Sequence, residues 1–191
     1  GFQFGGFDGS NTLDRIDVYD LTTDGNSTDF GNMAEAIRFG TASGSSSRIV
    51  RFGGTTSGNA NRNHIKYITT ATSGDEQNFG DLSAQHEQGA ALSNDTRALA
   101  GGGNWGGSNN GTIEYVTIAS TGNASDFGNL SANRTSLTGC ASTTRGIFAG
   151  GTNVIDYVTI GSTGDASDFG DLDNAKYSLA SVASSTRGVF A

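Results

Sequence analysis

The side chains best suited to molecular contact sit in two Gly/Asn-rich stretches. GGGNWGGSNNG (Gly101–Gly111) holds the single tryptophan, Trp105, beside Asn109 and Asn110. An indole among amides suits stacking on a sugar ring, although a loop anchored by its own tryptophan is the favoured reading. TTSGNANRNH (Thr55–His64) carries Arg62 and His64 in the corresponding place. These five residues are the candidate ligand contacts. The glycines of the Trp105 stretch also suggest a phosphate loop, but it lacks the Lys-Ser/Thr ending and a following helix.

Other residue types invite other chemistry. Arg48, Arg97, Arg145 and Arg187 each follow Ser or Thr at a tight turn. Such a row suits an acidic ligand, or ties neighbouring units by donating to carbonyls or to recurring aspartates; the tie is expected. Arg134, Lys176 and His86 form a second row, broken by Ile37. Asp or Asn recurs every third residue at Asn26, Asp29, Asn32; Asp75, Asn78, Asp81; Asn123, Asp126, Asn129; and Asp165, Asp168, Asp171. Calcium wants six to eight oxygens, whereas local Asx turns account for all four sets. His64 and His86 lack partners at zinc-ligand spacing, so neither metal nor cofactor is expected. No serine is marked as part of a triad. Cys140 is the only cysteine, so no intrachain disulfide forms; Ser43, Leu92 and Val182 at its equivalent positions indicate a strand packing site. The Asp-Phe-Gly trio recurs without the other kinase elements and reads as a turn. No enzymatic activity is expected.

The elements that hold these residues repeat. With Ile16, Ile65, Ile113 and Ile155 as origins, a glycine follows nine residues later at Gly25, Gly74, Gly122 and Gly164. Five residues on come Phe30, Phe79, Phe127 and Phe169, and eighteen further the four arginines. Gly53-Gly54, Gly102-Gly103 and Gly150-Gly151 close three of the units. Length varies only between the Gly-Gly pair and the next isoleucine, in linkers of nine, ten, nine and three residues. One free loop per unit is the habit of repeat proteins whose loops share a face.

Within a unit, IEYVTIAS (Ile113–Ser120) is β-branched and aromatic, as a strand requires. TGNASDFGNL then turns, Phe127–Leu130 offers a short further strand, and SLTGCAS and GIFAGG supply two more. MAEAIRF (Met33–Phe39) has the nearest thing to helical periodicity and is too short for a helix. Each unit is expected to form a small antiparallel sheet that must pack on its neighbours. The expected fold is all-β: one region spanning 1–191, with units near 1–54, 55–103, 104–151 and an incomplete 152–191. A period near 48 with three or four strands fits a β-propeller blade.

IDVYDLTTDGNSTDFGNMAEAIRFGTASGSSSRIVRFGG (Ile16–Gly54) resembles a Kelch repeat in its Val18-Tyr19-Asp20, its aromatic-x-x-Met and its closing Gly-Gly. It departs in carrying Phe30 where Kelch repeats have tryptophan, and in lacking proline. The proline-free variety with recurring Asp-Phe-Gly resembles repeats of tailed-bacteriophage structural proteins. That resemblance implies a Kelch-type propeller in a virion tail, fibre or capsid surface, meeting other protein subunits or a host-surface glycan. Gly188–Ala191 match Gly1–Phe4 in repeat position, so a segment of a larger propeller is expected, with a closed four-blade ring as the alternative. Two other functions fit the same repeats: a cellular or secreted Kelch-type adaptor, and part of a propeller-based carbohydrate-active enzyme.

Bulk composition narrows the partners. A net charge of −8 disfavours nucleic acid and anionic membranes. No apolar run is long enough to span a bilayer, so membrane insertion is not expected. The chain begins with Gly1 and shows no signal peptide, pointing to a processed protein or a piece of a longer one. A virion-surface or extracellular location is expected.

Overall fold

The computed structural model describes residues 1–191 and is all-β, built from small antiparallel sheets. The first sheet has strands Phe2–Phe7, Thr12–Val18 and Thr28–Asn32. The second has Thr41–Gly44, Arg48–Phe52, His64–Thr69 and Gln77–Asp81. The third has Ala90–Ser93, Arg97–Gly101, Thr112–Thr117 and Ser125–Asn129. The fourth has Leu137–Ala141, Arg145–Gly150, Val154–Thr159 and Ser167–Asp171. A terminal hairpin pairs Ser181–Ala183 with Gly188–Phe190.

One expectation is corrected. A repeat unit does not fold as its own sheet: each four-stranded sheet takes its leading and second strands from one unit and its third and outer strands from the next. Arg48–Phe52 pairs forward with His64–Thr69, and Arg145–Gly150 forward with Val154–Thr159. The segment between outer and leading strands therefore crosses to the neighbouring sheet. Carbonyls in it accept from the preceding Gly-Gly pair: Gly54 N donates to His86 O at 2.7 Å, Gly103 N to Arg134 O at 2.8 Å and Gly151 N to Lys176 O at 2.8 Å. A side chain has no room in this crossing, since a Cβ on Gly103 (φ +93°) would lie 2.6 Å from Glu87 O.

The leading strands pack side by side, which explains their small residues. A Cβ on Gly139 would already touch Ala91 O at 3.3 Å. Hydroxyls link these strands: Ser43 Oγ meets Ser93 Oγ at 2.7 Å, and Thr138 Oγ1 meets Ser181 Oγ at 2.8 Å. Their ends and the turns that follow, from Gly44, Asn94, Thr143 and Ser184, border one shared depression of about 330 Å³.

The core lies between sheets rather than at one centre. Phe79 packs with Val116 and Ile118 of the next sheet, Phe127 with Val158 and Ile160, and Phe30 with Ile68. A bulge produces this. In every sheet the pairing skips the phenylalanine, so that Ile65 faces Gly80 and Lys66 faces Asn78, leaving Phe79 out of the ladder. The same skip leaves out Phe30, Phe127 and Phe169. A residue freed from the ladder can be re-aimed, here toward the following sheet. Phe169, with no third strand following it, is 54 % exposed.

Candidate functional site

The variable linkers emerge on one side. Ile37–Arg38 pairs with Thr55–Thr56. Its counterpart is a ribbon in which His86–Glu87 pairs with Asn104–Trp105, which in turn pairs with Ser108–Asn109. Gly106 (φ +62°) and Gly107 (φ +98°) turn that ribbon, both in conformations that suit glycine. Glu87 joins the two linkers, accepting from Asn61 Nδ2 at 3.0 Å and from Thr55 Oγ1.

Two of the five candidate contacts come together. Arg62 Nε donates to both oxygens of Glu35 at 2.9 Å, and His64 Nδ1 lies 3.4 Å from Glu35 Oε1. They line an open groove of about 380 Å³ with Asn61, Asn63, Lys66 and Gln85. Glu35 comes from the crossing segment after the first sheet, so the groove spans two sheets. The terminal nitrogens of Arg62 make no hydrogen bond within the chain, and the residue is half-buried. Arg62 and His64 thus face one carboxylate, and Lys66, whose Nζ donates to Asn78 Oδ1 at 3.3 Å, adds a second cation to the groove lining. A fixed guanidinium with a free fork suits a carboxylate or vicinal hydroxyls.

Trp105 takes the loop-anchor reading, and its place among the ligand contacts is corrected. Trp105 is only 8 % exposed. Its Nε1 donates to Gly102 O at 2.7 Å, and its ring meets His86 edge-on with centroids 5.3 Å apart. Turning the ring outward would break that bond and uncover the imidazole. The tryptophan is a loop anchor, and its π-face is unavailable for stacking. Asn109 stays exposed, paired with Asn104 away from the ribbon's turn. Asn110 is tied down, its Oδ1 accepting from Thr112 N at 2.6 Å. Trp105→Phe, which keeps the packing and drops the N–H, is expected to cost about 1 kcal/mol in urea unfolding.

The repeated arginines lie between sheets. Arg48 Nη1 donates to Ile118 O and Ala119 O at 3.0 Å, and Arg97 Nη1 to Ile160 O at 3.0 Å. Each also covers a tyrosine of its own sheet, Arg48 over Tyr67 and Arg97 over Tyr115 at 4.6 Å, and Arg145 over Tyr157 at 4.5 Å. Arg187 borders a hollow of about 350 Å³ beside Cys140 and Phe169. Cys140 is buried, and burial raises its thiol pKa.

Local Asx turns at the start of three acidic triplets are also corrected. Asp75 Oδ1 accepts from Asn32 N at 2.8 Å, Asn123 Oδ1 from Asp81 N at 3.1 Å and Asp165 Oδ1 from Asn129 N at 2.9 Å. Each opening residue reaches back to the last residue of the preceding triplet, because successive outer edges lie against one another.

Buried charges were not anticipated. Every junction between consecutive full outer strands sinks a carboxylate onto the backbone N–H four residues after the phenylalanine. Glu76 Oε1 accepts from Ala34 N at 2.9 Å, Glu114 Oε2 from Ser83 N at 3.2 Å and Asp156 Oδ2 from Ser131 N at 3.1 Å. Glu76 pairs with Arg51 at 2.8 Å and Asp156 with Arg134 at 2.8 Å. Glu114 has no cation. Its pKa is raised, first by burial and further by the charge of Asp126. The only sequence signal is an acid following the isoleucine of three strands, Ile16-Asp17, Ile113-Glu114 and Ile155-Asp156. A raised carboxyl pKa removes stability as pH climbs through the folded-state value. Glu114→Gln is therefore expected to stabilise the protein at pH 7 by on the order of 1 kcal/mol, with the gain vanishing in acid.

These sheets define a class by architecture: consecutive small antiparallel sheets stitched across a sequence repeat. No protein-family model matches the chain, and no curated protein matches it. Among solved structures, the one titled "Structure of YjhT" superposes with a TM-score of 0.74 at 10 % identity, over 94 % of this chain and 70 % of that one. The likeness is one of fold.

Proposed function

We propose that this chain is a segment of a Kelch-type β-propeller serving as a non-catalytic structural and recognition module on a phage virion surface. The sheets act as blades, with their leading strands around the axis and their variable linkers on one face. That face meets other virion subunits or a host-surface glycan.

The observation that carries the recognition role is the Glu35–Arg62–His64 groove. Glu35 holds Arg62 by its Nε, leaving the fork for a partner's carboxylate or for sugar hydroxyls. Lys66 and the amides of Asn61, Asn63 and Gln85 surround it. Rigid sheets fix the groove before binding, which lowers the ordering cost of association. The virion assignment is carried by the resemblance of the proline-free repeats.

Two experiments test this. An acidic-glycan and protein-ligand screen should yield binding that Arg62→Ala weakens about tenfold or more; a ligand bound equally by that variant would remove the groove from the reading. Antibody detection in density-gradient fractions of the source material should place the polypeptide in virus-sized particles. Recovery only as a small free species would end the virion assignment.

A further inference from the structure

The Glu35–Arg62 groove belongs to one junction and is not a property of the repeat. Counted from the phenylalanines, Glu35 corresponds to Ala84, Ala132 and Asn174; counted from the isoleucines, Arg62 corresponds to Leu13, Asn110 and Thr152. The largest departure is Lys66. In the other sheets the residue after the isoleucine is acidic and faces a second acid across the ladder: Asp17 opposite Asp29, Glu114 opposite Asp126 and Asp156 opposite Asp168. In the second sheet Lys66 stands opposite Asn78. The formal charge of that cross-strand pair passes from −2 to +1, in a chain whose net charge is −8.

The junction is rebuilt to allow the exchange. Glu114 and Asp156 each hold the backbone N–H four residues after a phenylalanine, those of Ser83 and Ser131. An ammonium cannot accept such a bond. Here Glu76 takes the role from another strand, accepting from Ala34 N at 2.9 Å while Arg51 neutralises it. Position 66 is thereby released from the scaffold and lines the groove.

The lining defines the chemistry it would take. Arg62 sits on fixed backbone, its N donating to Gly54 O and its O accepting from His86 N, both at 2.9 Å. Arg62 and Lys66 bring two positive charges against the one negative charge of Glu35, before His64 is counted; Asp81 faces His64 in the ladder but lies outside the lining. That surplus suits a singly charged oxyanion, which a guanidinium fork holds through two oxygens. Ala34 is the only aliphatic residue of the lining. Protein partners bind through apolar and aromatic anchors seated in a pocket, and this groove offers none. It offers amides instead. Gln85 is exposed, and Asn63 uses its Nδ2 on Leu82 O at 3.3 Å, which leaves its own carbonyl oxygen open. The volume of about 380 Å³ falls among small-ligand sites of about 300–1,000 Å³.

We propose that the groove reads one anionic group on a sugar, either the carboxylate of a sugar acid or a phosphodiester borne on a sugar. This rests on the recognition role argued above and narrows it. The oxyanion lies on the Arg62 fork with Lys66 adding charge, and Gln85 and Asn63 bond the hydroxyls beside it. Neutral sugars lack the group that the junction was rebuilt to meet.

Titration of isotope-labelled protein, followed by NMR, tests this with three sets of probes. The first is the methyl glycosides of glucuronic, galacturonic and mannuronic acid, the second glucose carrying a methyl phosphodiester, and the third neutral methyl glucoside. At least one anionic probe should bind about tenfold or more tightly than the neutral one, as a hydrogen bond to a charged group implies. Which of the two anionic sets binds identifies the source of the oxyanion. Arg62→Ala and Lys66→Asp should each weaken that binding at least tenfold. Lys66→Asp copies the residue that Asp17 and Asp156 supply elsewhere, so circular dichroism should show its strands intact; Lys66→Gln removes the charge alone and should weaken binding in the same direction. Equal binding of the neutral glucoside, anion binding unchanged in the variants, or no anion binding up to about 10 mM would each overturn the proposal. If no anion binds while a protein ligand is still lost with Arg62→Ala, the groove keeps its recognition role and the sugar oxyanion alone is refuted.

Discussion

Replacing Arg134 with methionine is expected to destabilise the protein by about 3–5 kcal/mol, the cost of stranding a buried charge. Arg134 and Asp156 are both fully buried, 2.8 Å apart. Arg134 also donates to Val154 O, to Thr152 Oγ1 and, at 3.3 Å, to Phe148 O. Methionine fills the volume but leaves the Asp156 carboxylate with only Ser131 N, and it withdraws a donor from three further acceptors. The pair itself is incompletely bonded, since Arg134 Nε and Asp156 Oδ1 lack partners. The double change Arg134→Met with Asp156→Leu should therefore recover much of the loss, leaving chiefly the cost of an orphaned Ser131 N–H. Urea unfolding of the two single variants and the double variant measures this. A single variant within about 1 kcal/mol of the parent would show the site to be hydrated rather than dry.

The second large effect is one of pH. His86 is 1 % exposed and its pKa is lowered to about 4 by burial, against a bond from its ring to Gly102 O that acts to raise it. Its Nε2 lies 2.9 Å from that carbonyl, so the proton resides on Nε2, and Nδ1 has no partner. The folded state holds the neutral ring, while the unfolded chain takes up a proton below its ordinary value of about 6.5. Stability is thus intact above that pH and drains away as pH falls toward 4, by about 3 kcal/mol in all at about 1.4 kcal/mol per unit. His86→Gln keeps a donor to Gly102 O and removes the titration, so its stability should change much less across that window. Trp105 stacks edge-on against the ring and is the only tryptophan, so its fluorescence follows the unfolding. A parent and variant with parallel pH profiles would show that the imidazole titrates alike in both states.

The strands were legible because the repeat carries its own markers: the isoleucine origin, the glycine nine residues on and the phenylalanine beyond it. Their grouping into sheets was not. A periodic sequence has no phase, and a window beginning at Ile65 reads as well as one beginning at Thr41. The choice rests on which way Arg48–Phe52 pairs, and no residue announces that. At the site, Arg62 and His64 were legible as linker residues, but Glu35, which fixes Arg62, lies in the Met33–Phe39 stretch, whose weak helical periodicity says nothing of a contact with the linker. Trp105 misled for a similar reason. Its glycine and asparagine neighbours suggest exposure, while the imidazole beneath it sits nineteen residues earlier in the chain. Arg51 and Glu76 have no charged counterpart in the other units, while Arg134 and Asp156 belong to rows of polar residues, so each looks like a surface charge.

The linkers of ten, nine and three residues end in the same five-rung pairing: Arg48 with Thr69 through Phe52 with Ile65, Arg97 with Thr117 through Gly101 with Ile113, Arg145 with Thr159 through Ala149 with Ile155. Register is therefore independent of what joins the strands. Lengthening such a linker costs mainly loop-closure entropy, about 0.6 kcal/mol for each doubling. A single added methylene in the packed junctions can cost more than that. Mutation can thus explore linker length and sequence at nearly constant stability, and the groove-bearing face can diversify while the sheets beneath stay as they are.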